Sequence, residues 1–144
     1  MTTRRIILAG AALGLVLPLT GCGGDPGTAT GPIAVPLTDY RVSPTRDATA
    51  AGPTSFAIDN RSGATTHEFV VVRTDLDPAH LPTDEDGAFD EKGEGIEFID
   101  EKENIGPDHQ ASLTVDLKPG RYVLLCNLED HYARGMYQRF EVTP

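Results

Sequence analysis

Three residues with metal-binding side chains share one short stretch near the end of the chain. They are Cys126, His131 and Met136, in the run Cys126-Asn127-Leu128-Glu129-Asp130-His131-Tyr132-Ala133-Arg134-Gly135-Met136. Each lies five positions from the next. On a helix five residues turn about 140°, so the three side chains could not face one point. A loop that leaves one strand and returns into another can wrap them around a common centre. Gly135, free of a Cβ, helps to aim Met136. The spacing asks for strand–loop–strand, not helix.

The flanking sequence supplies those strands. Ile33, Val35 and Leu37 alternate with smaller residues, and Tyr40 and Val42 extend that segment. Gly52-Pro53 turns the chain into 55–60, where Phe56 and Ile58 share a face. Arg61-Ser62-Gly63-Ala64 makes the next turn, and 66–72 is a strongly β-prone run. Leu113, Val115 and Leu117 alternate with Thr114 and Asp116. Pro119-Gly120 leads into 121–126, apolar enough for a central strand, and 138–142 closes the chain with Phe140 and Val142 inward. Nothing here sustains helical periodicity. The expected fold class is all-β, an antiparallel Greek-key β-sandwich. The chain has no Trp and Cys126 has no partner, which disfavours the disulfide-bridged immunoglobulin variant.

Residues 74–108 break the pattern. Ten carboxylates against Lys92 and Lys102 crowd 84–103, which reads as a long solvated acidic insertion with a short helical turn around Phe89. Asp84-Glu85-Asp86-Gly87 lacks the spaced ligands and final glutamate of an EF-hand calcium loop.

The start of the chain reads as an export signal. Arg4 and Arg5 precede an apolar run from Ile6 to Leu19, too short to span a bilayer comfortably. Leu19-Thr20-Gly21-Cys22 resembles the bacterial lipobox, which makes 1–21 a lipoprotein signal and Cys22 the lipidated residue. The competing reading is an ordinary signal peptide ending in a chance cysteine. The paired arginines also fit a twin-arginine signal. Residues 22–32, rich in Gly, Thr and Pro, form a flexible tether, and 33–144 is one domain. With Cys22 committed to lipid, Cys126 is a solitary thiol in an exported protein, so it needs deep burial or a metal.

Thiolate, imidazole and thioether make a soft donor set that suits copper. A His₂Cys plane with a weak axial Met is the blue-copper electron-transfer arrangement. It needs a second histidine, and His67 is the best candidate. It begins the most apolar strand and shares a face with Phe69 and Val71, so it points inward at the strand's end. His80 and His109 sit in loop-like contexts and read as solvated.

With Asn60-x6-His67-Glu68 upstream and Tyr122-x3-Cys126-Asn127-x3-His131-x4-Met136 before a closing strand, residues 33–144 resemble the cupredoxins, the plastocyanin, azurin and rusticyanin group. The resemblance implies one copper ion cycling between Cu(I) and Cu(II). It also implies ring-nitrogen ligation by His67 and His131, thiolate ligation by Cys126 and a long axial bond from Met136. Glu68 stands where many members have Asn, and Glu129-Asp130 replaces a frequent Pro-Gly. Those two carboxylates are expected to lower the reduction potential, and the edge of His131, flanked by Tyr132 and Tyr137, is the expected electron port.

The expected function is a non-enzymatic one-electron carrier outside the cytoplasm, held to a membrane by its lipid. The alternative is a module for copper storage or delivery, which the single usable methionine disfavours. A third reading, an adhesive lipoprotein on a degenerate scaffold, conflicts with the complete ligand set. No Gly-x-Ser-x-Gly element supports hydrolysis. Without Arg4 and Arg5 the chain carries 10 basic and 22 acidic residues, a formal charge of −12. Nucleic acid is thereby an unsuitable partner, and a monomer meeting basic or membrane-bound redox proteins fits better.

Overall fold

Alternating burial along β1 (Ile33–Thr38) puts Ile33, Val35 and Leu37 into a core, and the chain then reverses at Asp39-Tyr40 into β2 (Arg41–Val42). The expected single first segment is thus a hairpin. The computed structural model describes residues 31–144; the expected signal 1–21, the lipidation site Cys22 and most of the tether 22–32 lie outside the described residues. The remaining strands are β3 (Ala48–Ala50), β4 (Gly52–Asn60), β5 (His67–Arg73), β6 (Glu97–Ile105), β7 (Gln110–Leu117), β8 (Gly120–Leu125) and β9 (Tyr137–Thr143). Helical structure among the described residues is limited to a 3-10 turn at Pro78–His80.

The strands form two sheets, ordered β2-β1-β4-β7 and β3-β9-β8-β5-β6. This is the expected all-β sandwich, with one correction: β1 runs parallel to β4 and β3 parallel to β9, so the sheets are mixed. The inner faces meet in one core that includes Phe56, Phe69, Tyr122, Leu124 and Phe140. Cys126 and Met136 belong to it.

Residues 74–96 correct the sequence reading most. Leu81, Phe89 and Tyr132 pack with Val70, Val72, Val123 and Leu125 on the outer face of the five-stranded sheet. Phe89 is 2% exposed and sits in a bridge pairing with Thr83, not in a helical turn. The acidic segment is a cover anchored by a few apolar residues, with most of its carboxylates exposed. The cover explains why β5 is buried from His67 to Val72 without alternation: both faces of its sheet are capped. The acidic residues from Glu97 onward are strand, not loop. β6 forms the sheet edge beside β5, and its charges suit an edge that must not pair with other chains.

If the cover contributes packing, Phe89→Ala will lower unfolding free energy by about 3 kcal/mol in a denaturant titration. The neighbouring Lys92→Ala will leave it unchanged. A neutral Phe89→Ala would restore the solvated-loop reading.

Candidate metal centre

β5 and β8 pair antiparallel, Val70 opposite Leu125, so the start of β5 and the end of β8 lie at the same edge of the sandwich. His67 opens β5, and Cys126 follows β8 directly. The chain then makes a tight return: His131 N–H donates to Leu128 O at 2.9 Å, Met136 N–H to His131 O at 3.0 Å, and Cys126 N–H to Met136 O at 3.0 Å. Gly135 has φ +92°, the left-handed conformation that the return requires. Met136 is brought back beside Cys126 with its side chain fully buried.

Three of the four expected ligands converge. Nδ1 of His67 and Nδ1 of His131 are 3.3 Å apart. Cys126 Sγ lies 3.2 Å from His131 Nδ1 and 4.0 Å from His67 Nδ1. First-row metal bonds of about 2.0–2.3 Å to nitrogen and sulfur allow ligand atoms up to about 4.1–4.4 Å apart. Each side of the triangle falls inside that limit, so a single ion fits without rearrangement. Met136, buried in the same core cluster as Cys126, completes a donor set of type 1 copper character. His80 and His109 are exposed, as expected, and stand apart from this group.

Supporting contacts orient the donors. For His67 Nδ1 to present a lone pair, Nε2 must carry the hydrogen, and Ser62 Oγ is 2.6 Å away to accept it. Ser62 is held in turn, its N–H donating to Asn60 Oδ1 at 2.9 Å. Buried Asn60 donates from Nδ2 to Thr65 O and Ile105 O, both at 2.8 Å. The backbone N–H of Glu68 donates to Cys126 Sγ at 3.3 Å. Asn127, next to Cys126, accepts from Phe89 N–H at 2.9 Å and donates to Phe89 O at 3.1 Å, which ties the ligand loop to the cover.

Burial holds both histidines below the ordinary imidazole range. His131 presses His67 further down, and Arg134 does the same to His131. Both are therefore neutral near pH 7, the form that ligates. Burial raises the Cys126 thiol, while backbone donors at Glu68 and Leu128 pull it back.

Sequence reasoning missed the Asp39-Tyr40 turn. Asp39 lies 4.0 Å from His67 Nε2, and Tyr40 packs edge-on against His131 with ring centroids 5.5 Å apart. The expected flanking residues behave differently. Tyr132 is buried in the cover, accepting from Leu81 N–H and donating to Pro78 O, and Tyr137 packs against Tyr132. Glu129 and Asp130 are exposed, and Asp130 has Arg134 at 3.7 Å to offset its charge.

The two-sheet sandwich with its ligand-bearing end is a cupredoxin fold. Among solved structures it is similar to the dithionite-reduced auracyanin of the photosynthetic bacterium Roseiflexus castenholzii, with 22% identity, TM-score 0.59, and 81% of this chain and 100% of that one covered. Auracyanin A, a "blue" copper protein of the green thermophilic photosynthetic bacterium Chloroflexus aurantiacus, matches with 17% identity and TM-score 0.52, covering 78% and 100%. Reduced rusticyanin matches with 15% identity and TM-score 0.54, covering 76% and 78%. No protein-family model and no curated protein sequence matches the chain.

Glu68 is the unusual neighbour. It is 8% exposed, and its carboxylate lies with those of Glu101 and Glu103 within 4.8 Å of one another. Burial first, then Glu101, pushes its pKa from 4.5 to about 8. The unfolded chain gives up this proton at lower pH than the folded one, so stability falls as pH rises between those two values. In metal-free protein Glu68→Gln will raise unfolding free energy above pH 8, by about 5 kcal/mol at most, and by nothing well below pH 4.5. Denaturant titrations at the two ends of that window check it.

Proposed function

We propose that this protein is a blue copper electron carrier, in which His67, Cys126, His131 and Met136 would hold one copper ion. The observation that carries the reading is the triangle of His67 Nδ1, His131 Nδ1 and Cys126 Sγ, spanned by distances of 3.2–4.0 Å. Copper would supply a one-electron Cu(I)/Cu(II) couple at that point.

The chain's own contribution is rigidity. The Asn60–Ser62–His67 hydrogen bonds fix one imidazole, and the Glu68 N–H fixes the sulfur. Ligand positions held this firmly limit the reorganisation that accompanies each electron. His67, Cys126 and Met136 have no solvent exposure, while His131 is 8% exposed and nearest to the outside. Its edge is the port through which a partner exchanges electrons. Full burial of three ligands argues against storage or delivery, which needs ligands that an acceptor can reach.

The cellular setting extends the same reading. Signal 1–21 and lipidated Cys22 place the domain on a membrane outside the cytoplasm, and its partners are redox proteins with basic or membrane-bound surfaces. The strongly acidic balance supports that partner class.

Cu(II) added to the purified protein is expected to give an intense blue colour from thiolate-to-metal charge transfer at one equivalent. Cys126→Ser abolishes it, and His67→Ala weakens or abolishes it. Visible spectra that keep the band without Cys126 would contradict the assignment. Rapid loss of copper to a weak chelator, without redox cycling, would move the reading to delivery.

A further inference from the structure

Tyr40 has φ +59°, in the left-handed region that a bulky aromatic residue rarely adopts. A side chain with a Cβ is strained there, which Gly or Asn would not be to the same degree. Its side chain is 39% exposed, so core packing does not account for the conformation. Strain of this kind points to a task.

The contacts show what the ring touches. Tyr40 meets the His131 imidazole edge-to-face, with centroids 5.5 Å apart and planes at 86°. Arg134, on the same loop as His131, holds the tyrosine: its Nη1 donates to Tyr40 Oη at 3.0 Å, and its Cζ lies 4.7 Å from the ring centroid. Asp130, 3.7 Å from Arg134 Nη2, steadies the guanidinium. His131 is only 8% exposed although Asp130, Ala133 and Arg134 around it are exposed. A ring from a distant turn, clamped by a residue of the ligand loop, therefore lies against the ligand nearest to solvent.

We propose that Tyr40 is a positioning residue for His131, its ring fixing the orientation of the imidazole and keeping water from its outer edge. Arg134 acts through Tyr40 by pinning the ring. The contact belongs to the protein itself and exists without metal; its redox consequence rests on the copper reading above. The oxidised site carries one more positive charge than the reduced site, so excluding water favours reduction.

The test uses the full chain, wild type and the variants Tyr40→Asn, Tyr40→Phe and Arg134→Gln. In metal-free protein, diethyl pyrocarbonate modification of His131 is followed by peptide mass spectrometry. Tyr40→Asn should speed it about fivefold or more, while unfolding free energy stays level or rises because Asn tolerates the left-handed turn. Tyr40→Phe keeps the ring and its stacked Arg134 but loses the Oη bond, so it and Arg134→Gln should both fall between wild type and Tyr40→Asn. In copper-loaded protein, Tyr40→Asn should lower the reduced-to-oxidised ratio at fixed potential. An unchanged modification rate in stable Tyr40→Asn, or a rate that rises only in step with global unfolding, overturns the proposal. Wild-type protein that takes up no copper would overturn the copper reading and leave the metal-free comparison standing.

Discussion

A sulfur atom without solvent contact sits where two neighbouring strands end, and a backbone N–H from the other strand donates to it. The bond from Glu68 to Cys126 Sγ, 3.3 Å long, joins β5 to the ligand loop at the one place where a slip would separate the donors. A shift of one residue in the β5–β8 pairing would turn His67 out of the core and move its ring to the opposite face. The bonds through Ser62 and Asn60 then fix which ring nitrogen of His67 faces the sulfur. Donor geometry is thus set by strand register and backbone hydrogen bonds, before any ion is considered.

Capping the five-stranded sheet on both faces gives that register its strength. The inner face packs in the sandwich core and the outer face under the segment 74–96. Asn127 joins the cover to the ligand loop through its paired bonds with Phe89. A segment dense in negative charge thereby supports a buried site, because its apolar residues turn inward and most of its carboxylates face water. Glu68, on β5 itself, is a separate buried carboxyl group, set beside Glu101 and kept neutral by burial.

The ligand set was legible because it rests on rare side chains in local order. Cys126, His131 and Met136 share one loop, and His67 followed from period-2 alternation against Phe69 and Val71. The sandwich strands were legible where one face is polar, as in β7. β6 was not, because an edge strand of charged residues has no apolar alternation to read. Leu81 and Phe89 were hidden for a related reason: single apolar anchors, scattered among carboxylates, leave no periodic trace. The Asp39-Tyr40 turn was obscured by Tyr40 and Val42 reading as a continuation of the first strand. Its contacts with His67 and His131 arise only through tertiary packing.

The central claim is that one loop and one distant strand end share a single metal ion through two imidazoles and a thiolate. X-ray absorption at the copper edge of protein loaded with one equivalent tests this most directly. The account predicts a first shell of two nitrogen scatterers and one short sulfur scatterer, with the sulfur lost in Cys126→Ser. A shell of nitrogen and oxygen alone, unaltered by that substitution, would contradict it.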